Sequence, residues 1–457
     1  MALIPAEIFK AYDVRARTDL LTPDAAWLIG RALGCEATAR GFSRMALGRD
    51  GRLSSPALTA ALARGLTEAG MQVLDLGLAA TPLLYFAANH AADGCGVVVT
   101  GSHNPPEYNG IKIMLGGEAL GGAFLQALRN CIETDAFTRV PAAQPGSVRQ
   151  FAVADDYFAA IAARLPLAHP LKIVVDCGSG VAGAFAPALY RRMGCEVIEL
   201  YCEVDGHFPH HHPDPQNEAN LLDLKAAVAA HGAHIGLAFD GDGDRLGVVT
   251  RRGATVPGDR LLMLFAAAEL AEHGGGHVLF DVKSSRAVAA WVARHGGTCE
   301  AIPTGHTHMK KKLRDTGALL AGELSGHFAF AGWRIDDALY AGAKLLRLLA
   351  AGLDIDAELA GFPTPLTSPE LQIPLAENGH ALVARIAAAA RFPSAERVAD
   401  IDGLRIEYPD GFGLIRASNT QPLLTLRLEA DNAPALWRIR SELAAAIAPL
   451  ILPDFDC

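Results

Sequence analysis

The chain has 457 residues, 51% hydrophobic and 20% charged, which is globular composition and, on length, too much for one ordinary core and enough for roughly three domains. Its net charge of -10 argues against a general affinity for nucleic acid or an anionic membrane, so an anionic substrate must be held by local Arg and Lys. No stretch is long and apolar enough to span a bilayer, the N-terminus MALIPAEIFKAYD lacks a basic flank and an apolar h-region, and the eight Cys form no C-x-x-C pair; a cytoplasmic protein with reduced thiols is expected.

Near the start, FKAYDVRAR sets Lys10, Arg15 and Arg17 around Tyr12 and Asp13. Taken alone, a basic arm of this kind is usually just solvated. A pattern then occurs three times. RMALGRDGRLSSPALTAALARGLTEAGMQVLDLG reads as an apolar strand ending near Asp50, a Ser-bearing turn, an Ala/Leu helix stopped by Gly70, and a second strand. LKIVVDCGSGVAGAFAPALYRRMGCEVIEL repeats it with Asp176, Ser179 and Gly194, and GGHVLFDVKSSRAVAAWVARHGGTCEAIPTG repeats it with Asp281, Ser284 and Gly296. Strand, helix and strand in one unit need a right-handed crossover and a mostly parallel sheet covered on both faces, so three related mixed α/β domains are predicted. Beyond Leu371 the repeat stops. The alternating LLTLRLEA and the helical PALWRIRSELAAAIAPLI predict a smaller C-terminal α+β domain. Pro- and Gly-bearing stretches around Pro145, Gly253 and Pro365 divide the chain into 1–149, 150–253, 254–365 and 366–457.

Four loops carry chemistry. VVVTGSHNPPEYNGIK, Val97 to Lys112, runs from a β-branched strand into a turn in which two prolines restrict the backbone, so Ser102 is held in place, as a nucleophile or phosphate carrier requires. It also falls beyond a strand's carboxyl end, where parallel sheets bind ligands. GLAFDGDGDRLGVV sets Asp240, Asp242 and Asp244 at alternate positions of a Gly-rich turn between apolar strands. Carboxylates so close repel one another unless a hard cation sits among them. The EF-hand alternative fails, because its sixth and twelfth positions hold Arg245 and Arg251 rather than Gly and Glu; a solvated acidic turn is the weaker reading. Mg²⁺ suits three aspartates with a place left for a phosphoryl oxygen, and Arg245 follows the third, placed to reach that phosphoryl or to pair with an aspartate. GFGLIRASNTQP puts Arg416, Ser418, Asn419 and Thr420 on one turn, which reads as a phosphate cradle or a plain polar hairpin. GELSGHFAF and TGHTHMKKK are weak motifs by themselves. GHFPHHHPDP reads as an inter-element loop rather than a metal site, since neighbouring histidines there do not share a face.

TGSHNPP and DGDGDR together resemble the α-D-phosphohexomutases, and the resemblance extends over essentially the full chain. It implies that Ser102 carries a phosphoryl group, that Lys112 closes its loop, and that Asp240, Asp242, Asp244 and Ser102 ligate Mg²⁺. Tyr12 and Arg15 match the family's FxxYDxRG segment beside the active site, with Ala16 standing where the family has Gly. Glu323 and Ser325 match the GEMSGH loop that bonds the sugar O3 and O4. His306 matches an active-site histidine proposed to assist proton transfer, Lys283 a substrate-contacting lysine, and Arg416, Ser418, Asn419 and Thr420 the loop that grips the phosphate not reacting. The implied activity is reversible phosphoryl transfer between the 1- and 6-positions of hexose phosphates, through phosphoserine and a hexose 1,6-bisphosphate, with glucose 1,6-bisphosphate as activator and intermediate. The four loops are expected to line one central cleft. A grip on O3 and O4 does not separate glucose from mannose, which differ at C2, so dual specificity is expected. The alternatives are a phosphoglucosamine mutase, although Leu324 replaces the Gln of the N-acetylglucosamine-type loop, a phosphosugar phosphatase, and a non-catalytic phosphosugar-binding protein. The expected partners are small hexose phosphates, not nucleic acid or membrane, and the expected state is a monomer, with a dimer as the alternative.

Overall fold

Parallel pairing follows directly from the strand–helix–strand segments. Arg44–Arg49 and Gln72–Leu78 pair in parallel with helix Ser55–Glu68 between them in sequence. Lys172–Asp176 and Glu196–Leu200 do so on either side of Ala186–Arg192, and Gly276–Asp281 and Gly297–Ile302 on either side of Ala287–Arg294. The structure, a computed structural model, describes residues 4–136, 144–418 and 422–455. It divides into two units, Met1–Gly258 with Ser325–Asp356, and Asp259–Leu324 with Ala357–Cys457.

In the first unit, strand Gly96–Val99 pairs in parallel with Arg44–Arg49 and antiparallel with Tyr108–Leu115. Every residue of Gly96–Val99 is buried, and Val97, Val99, Ile111 and Ile113 join Leu58, Leu62 and Leu66 in one core. The segment carrying Ser102 therefore connects two interior strands, with packed sheet at both of its ends. Val14–Arg17 extends this sheet antiparallel to Tyr108–Leu115 and sets Arg15 opposite Gly110. Ala16 lies opposite Asn109 in regular strand, so no glycine is needed there. A second sheet is centred on Ile235–Phe239, parallel to Lys172–Asp176 and antiparallel to Leu246–Thr250. Phe239 and Leu246 are paired, which makes Asp240 to Arg245 the loop of a hairpin.

In the second unit, Gly276–Asp281 lies between Gly297–Ile302 and Leu320–Gly322, parallel to both. The C-terminal part is an antiparallel sheet of Arg397–Asp400, Leu404–Tyr408, Gly411–Ala417, Leu423–Ala430 and Leu371–Pro374, packed with helices Gly379–Ala389 and Ala433–Ile447. The two parts of this unit meet where Val282 packs with Phe412 and Leu414, and the Arg405 guanidinium, 3.9 Å above the Phe412 ring, donates to the Val282 and Ser284 carbonyls. Residues on both sides of Pro365 belong to this unit. Among the described residues no helix is long and apolar enough to cross a membrane.

Candidate functional site

The residue that shapes the Ser102 loop is Arg52, whose side chain is fully buried. Its Nε donates to Asp50 Oδ2, Nη1 to the Pro105 and Tyr108 carbonyls, and Nη2 to the Ser102 and Asn104 carbonyls, at 2.6 to 3.1 Å. All five N–H groups of the guanidinium are thus spent, four of them on the backbone of a single turn. Burial pulls the pKa of Arg52 down and Asp50 pulls it back. The Phe208 ring lies 5.0 Å from the guanidinium carbon. On the same turn, Arg15 donates to Asn104 Oδ1 at 2.7 Å and pairs with Asp13. Held this way, Ser102 takes the left-handed conformation, φ 49°, which a residue with a Cβ adopts only when its surroundings impose it.

That conformation aims the hydroxyl at the acidic hairpin loop. Ser102 Oγ donates to Asp240 Oδ2 at 2.7 Å, and His103 Nδ1 lies 3.2 Å from Ser102 Oγ. The other oxygen of Asp240 accepts the amides of Gly243, Asp244 and Arg245 at 3.0 to 3.1 Å, which fixes the carboxylate from its own loop. Gly241 lets the two loops close on each other: a Cβ there would fall 2.3 Å from the Ser102 carbonyl oxygen. Lys112, buried in the strand that leaves the serine loop, places its ammonium 2.6 Å from Asp242 Oδ2 and 2.6 Å from Asp244 Oδ2. Thr81 also donates to Asp242.

The electrostatics follow from burial and these contacts. Burial, then Asp242 and Asp244, raise the Asp240 carboxyl well above its ordinary pKa. Burial and Asp244 push Asp242 the same way, but Lys112 and the Thr81 hydroxyl outweigh them and hold it low. Burial also opposes ionisation of Asp244, yet Lys112 and His327 keep its pKa low. Burial, with Arg245 and Arg15, pulls His103 well below the ordinary histidine value, so its imidazole is neutral. The three aspartates each offer an oxygen within 4.8 Å of the others. Lys112 reaches the Oδ2 atoms of Asp242 and Asp244, and Asp242 Oδ1 and Asp244 Oδ1 have no hydrogen-bond partner among the described residues. Buried carboxylate oxygens left over in this way fit a hard divalent cation, the group for which such donors are suited. Arg245 donates from Nε to His327 Nε2 at 3.1 Å, and His327 Nδ1 faces Asp336 and Asp244 at 3.5 and 3.7 Å.

The predicted residues of the second unit form their own cluster. Lys283 pairs with Glu370 at 3.2 Å, and Arg416 with Asp402 at 2.8 Å. Glu323, buried, accepts the Gly305 amide at 2.8 Å and so anchors the turn that starts the helix at His306. Ser418 closes the hairpin after Arg416 by donating its amide to the Leu423 carbonyl. Ser325 belongs to the first unit and is half-buried, as is Tyr12 on the bend before Val14. Asn419 and Thr420 lie outside the described residues.

Models of the four successive domains of phosphoglucomutase/phosphomannomutase match residues 6–139, 155–253, 257–363 and 370–446. The chain belongs to the phosphoglucomutase/phosphomannomutase family. It is 50% identical over 452 residues to a phosphoglucomutase of Neisseria meningitidis serogroup A, and 46% identical over 459 residues to a phosphomannomutase/phosphoglucomutase of Pseudomonas aeruginosa, covering 98% of both chains in each case. A crystal structure of a family protein from Burkholderia thailandensis is similar with a TM-score of 0.91 and 46% identity, covering 99% of this chain and 100% of that one.

Several residues that build this family member's site are not apparent in its motifs. Arg52 and Asp50, the latter marking only the end of a strand, together with Thr81, Asp336 and His327, carry no role in the reading of the sequence. The one local signal for the first two is RDGR at the end of a strand whose sheet neighbour leads into TGSHNPP. In the histidine-rich loop, His211 Nε2 faces Asp176 Oδ1 at 3.1 Å.

Proposed function

We propose that the chain moves a phosphoryl group between the 1- and 6-hydroxyls of glucose and mannose phosphates, with Ser102 as carrier and a hexose 1,6-bisphosphate as intermediate. It is a hexose phosphate mutase, of the isomerase class. What carries the site-level reading is one observation: the Ser102 hydroxyl, on a turn clamped by a buried Arg, is bonded to the first of three clustered, buried aspartates. Asp240, Asp242 and Asp244 would hold Mg²⁺, with an oxygen of phosphorylated Ser102 as a further ligand; when bound, the ion would supply positive charge to the phosphoryl oxygens.

Phosphoryl transfer asks mainly for positioning and charge stabilisation. In this reading phosphoserine 102 passes its phosphoryl to the free hydroxyl of a 1- or 6-phosphosugar, the bisphosphate turns over, and the other phosphoryl returns to Ser102. Lys112, Arg245 and Arg15 would offset the charge of the migrating group, and Tyr12 would contact the substrate. On the return step Ser102 Oγ sheds its proton, and Asp240 Oδ2, its hydrogen-bond partner, would take it. Arg416, Ser418, Asn419 and Thr420 would hold the phosphate that is not reacting, and the substrate-contacting Lys283 would reach the same phosphate, since its partner Glu370 also feels the charge of Arg416; Glu323 and Ser325 would hold the sugar O3 and O4, and His306 would assist proton transfer at the sugar hydroxyl. Glucose 1,6-bisphosphate would restore phosphoserine to enzyme that had lost it.

Intact-mass analysis should find one phosphate, mapped by proteolysis to Ser102. Coupled assays should show glucose 6-phosphate formed from glucose 1-phosphate, dependent on Mg²⁺ and lost in Ser102→Ala. Full activity in Ser102→Ala would reject the assignment. Release of inorganic phosphate in place of isomerisation would mark a phosphatase, and parallel assays with mannose and glucosamine phosphates would fix the sugar.

A further inference from the structure

The two cations assigned above to the resting phosphate are not waiting in open solvent. Arg416, nearly buried, gives both Nε and Nη2 to Asp402 Oδ2, at 3.1 and 2.8 Å, and that oxygen also accepts the Thr304 amide at 3.2 Å. The turn carrying Asp402 is pressed onto the strand of Arg416: a Cβ on Gly403, at φ 87°, would fall 2.4 Å from the Ile415 carbonyl oxygen. Lys283 donates to Glu370 at 3.2 Å. Burial works against ionisation of Glu370, but Lys283 and then Arg416 hold its carboxyl below the ordinary value, so the second carboxylate is within the field of both cations. Lys283, Glu370, Arg416 and Asp402 thus alternate in sign and carry no net charge as a group.

A dianionic phosphate entering this cluster must share Arg416 and Lys283 with carboxylates that already hold them. A site meant only to bind would dispense with such competitors. A mutase has the opposite need, because its bisphosphate must leave the cradle and come back with its ends exchanged, and binding that is too tight slows that step without speeding chemistry. We propose that Asp402, and more weakly Glu370, are positioning residues that keep Arg416 and Lys283 aimed while the site is empty and weaken their hold on phosphate when it is full, so that the intermediate turns over. This rests on the assignment of Arg416 and Lys283 to the non-reacting phosphate. Asp402 dominates because its pair is nearly buried, whereas Glu370 is exposed on one side and a surface pair is worth little.

The test uses the full-length enzyme carrying Asp402→Asn, which keeps shape and an acceptor for Thr304 but removes the charge, and Glu370→Gln beside it. Affinity for glucose 6-phosphate is measured by calorimetry in a Ser102→Ala background, and kcat and KM for glucose 1-phosphate in the active enzyme. Taking one like charge away from a dianion a few ångströms off should tighten binding about ten-fold for Asp402→Asn. KM should fall with it and kcat should fall as well, while Asp402→Glu returns both toward wild type. Glu370→Gln should move both in the same direction by less. A residue that merely supported the fold would raise KM and weaken binding. Weaker or unchanged binding in Asp402→Asn overturns the inference, and if that variant does not fold, weaker or unchanged binding in Glu370→Gln does so. Arg416→Lys separates this from failure of the underlying assignment: if it leaves affinity unchanged, Arg416 is not a phosphate residue at all; if it weakens affinity while the carboxylate variants do not tighten it, only the present inference falls.

Discussion

Replacing Arg52 by Lys keeps a positive charge beside Asp50 but removes the planar fork that ties down the Ser102 turn. The guanidinium satisfies Asp50 and the carbonyls of Ser102, Asn104, Pro105 and Tyr108 with five donors in one plane. An ammonium has three donors at a single point, so at least two of those five bonds are lost. Asp50 Oδ2 and the Pro105 carbonyl keep the Gly101 and Tyr108 amides, so the cost falls on the Ser102, Asn104 and Tyr108 carbonyls, about 1–3 kcal/mol for each one that the point-like ammonium fails to reach. Ser102 itself, at φ 49°, stores roughly 1–3 kcal/mol of backbone strain that the clamp sustains. Released, the turn relaxes and carries Oγ away from Asp240; a displacement of about 1 Å at a reacting atom costs on the order of 100-fold in rate. Arg52→Lys should therefore lower kcat about 100-fold with little change in KM, since the residues assigned to the resting phosphate are elsewhere in the chain. Its unfolding temperature should drop as well, and intact mass should show less phosphate on Ser102. The coupled phosphoglucomutase assay and a thermal melt read these outcomes. A variant with the wild-type melting temperature and the wild-type kcat would show that the turn holds its shape without Arg52, and the reasoning would be wrong.

Lys112→Met removes a side chain bonded to both Asp242 and Asp244, leaving buried carboxylates uncompensated at a cost of about 3–5 kcal/mol. Added Mg²⁺ should therefore raise the melting temperature of Lys112→Met by more than it raises that of wild type; an equal rise would count against a shared charge balance. Asp337 is buried at the start of helix Ala338–Ala350, accepts from the Tyr340 amide, Trp333 Nε1 and the Tyr157 hydroxyl, and burial still pushes its pKa up to about 6. Between roughly pH 4 and pH 6 the folded chain keeps a proton that the unfolded chain has lost, so stability contributed by this group falls as pH rises through that window and is flat above it. The stability of wild type relative to Asp337→Asn should grow by about 2–3 kcal/mol between pH 7 and pH 4, followed by urea unfolding, and a difference independent of pH would contradict the shift.

The parts of the fold and site that could be read in advance are those written contiguously. The three strand–helix–strand segments, the turn TGSHNPP and the triple aspartate each declare themselves within a few dozen residues, because turn chemistry and like-charge crowding are local constraints. Partnerships across the chain are not local, and they decide the geometry. That Lys112 bridges aspartates 130 and 132 positions later, or that Asp402 holds Arg416, has no local periodicity to reveal it. Arg52 is the extreme case, since arginine is ordinarily exposed and its burial here is set by carbonyls about 50 residues downstream. A partial route to it exists in accounting for polar groups. A Pro-rich turn leaving an interior strand has carbonyls that no ladder can satisfy, and they must find donors from another segment at the same sheet edge. Strand Arg44–Arg49 is the parallel neighbour of Gly96–Val99, so the residues just after it reach that edge first, and among Asp50, Gly51 and Arg52 only the arginine can donate to several carbonyls at once. Motifs thus show where the chemistry is, while the unsatisfied backbone of those motifs points to the residue that must hold it still.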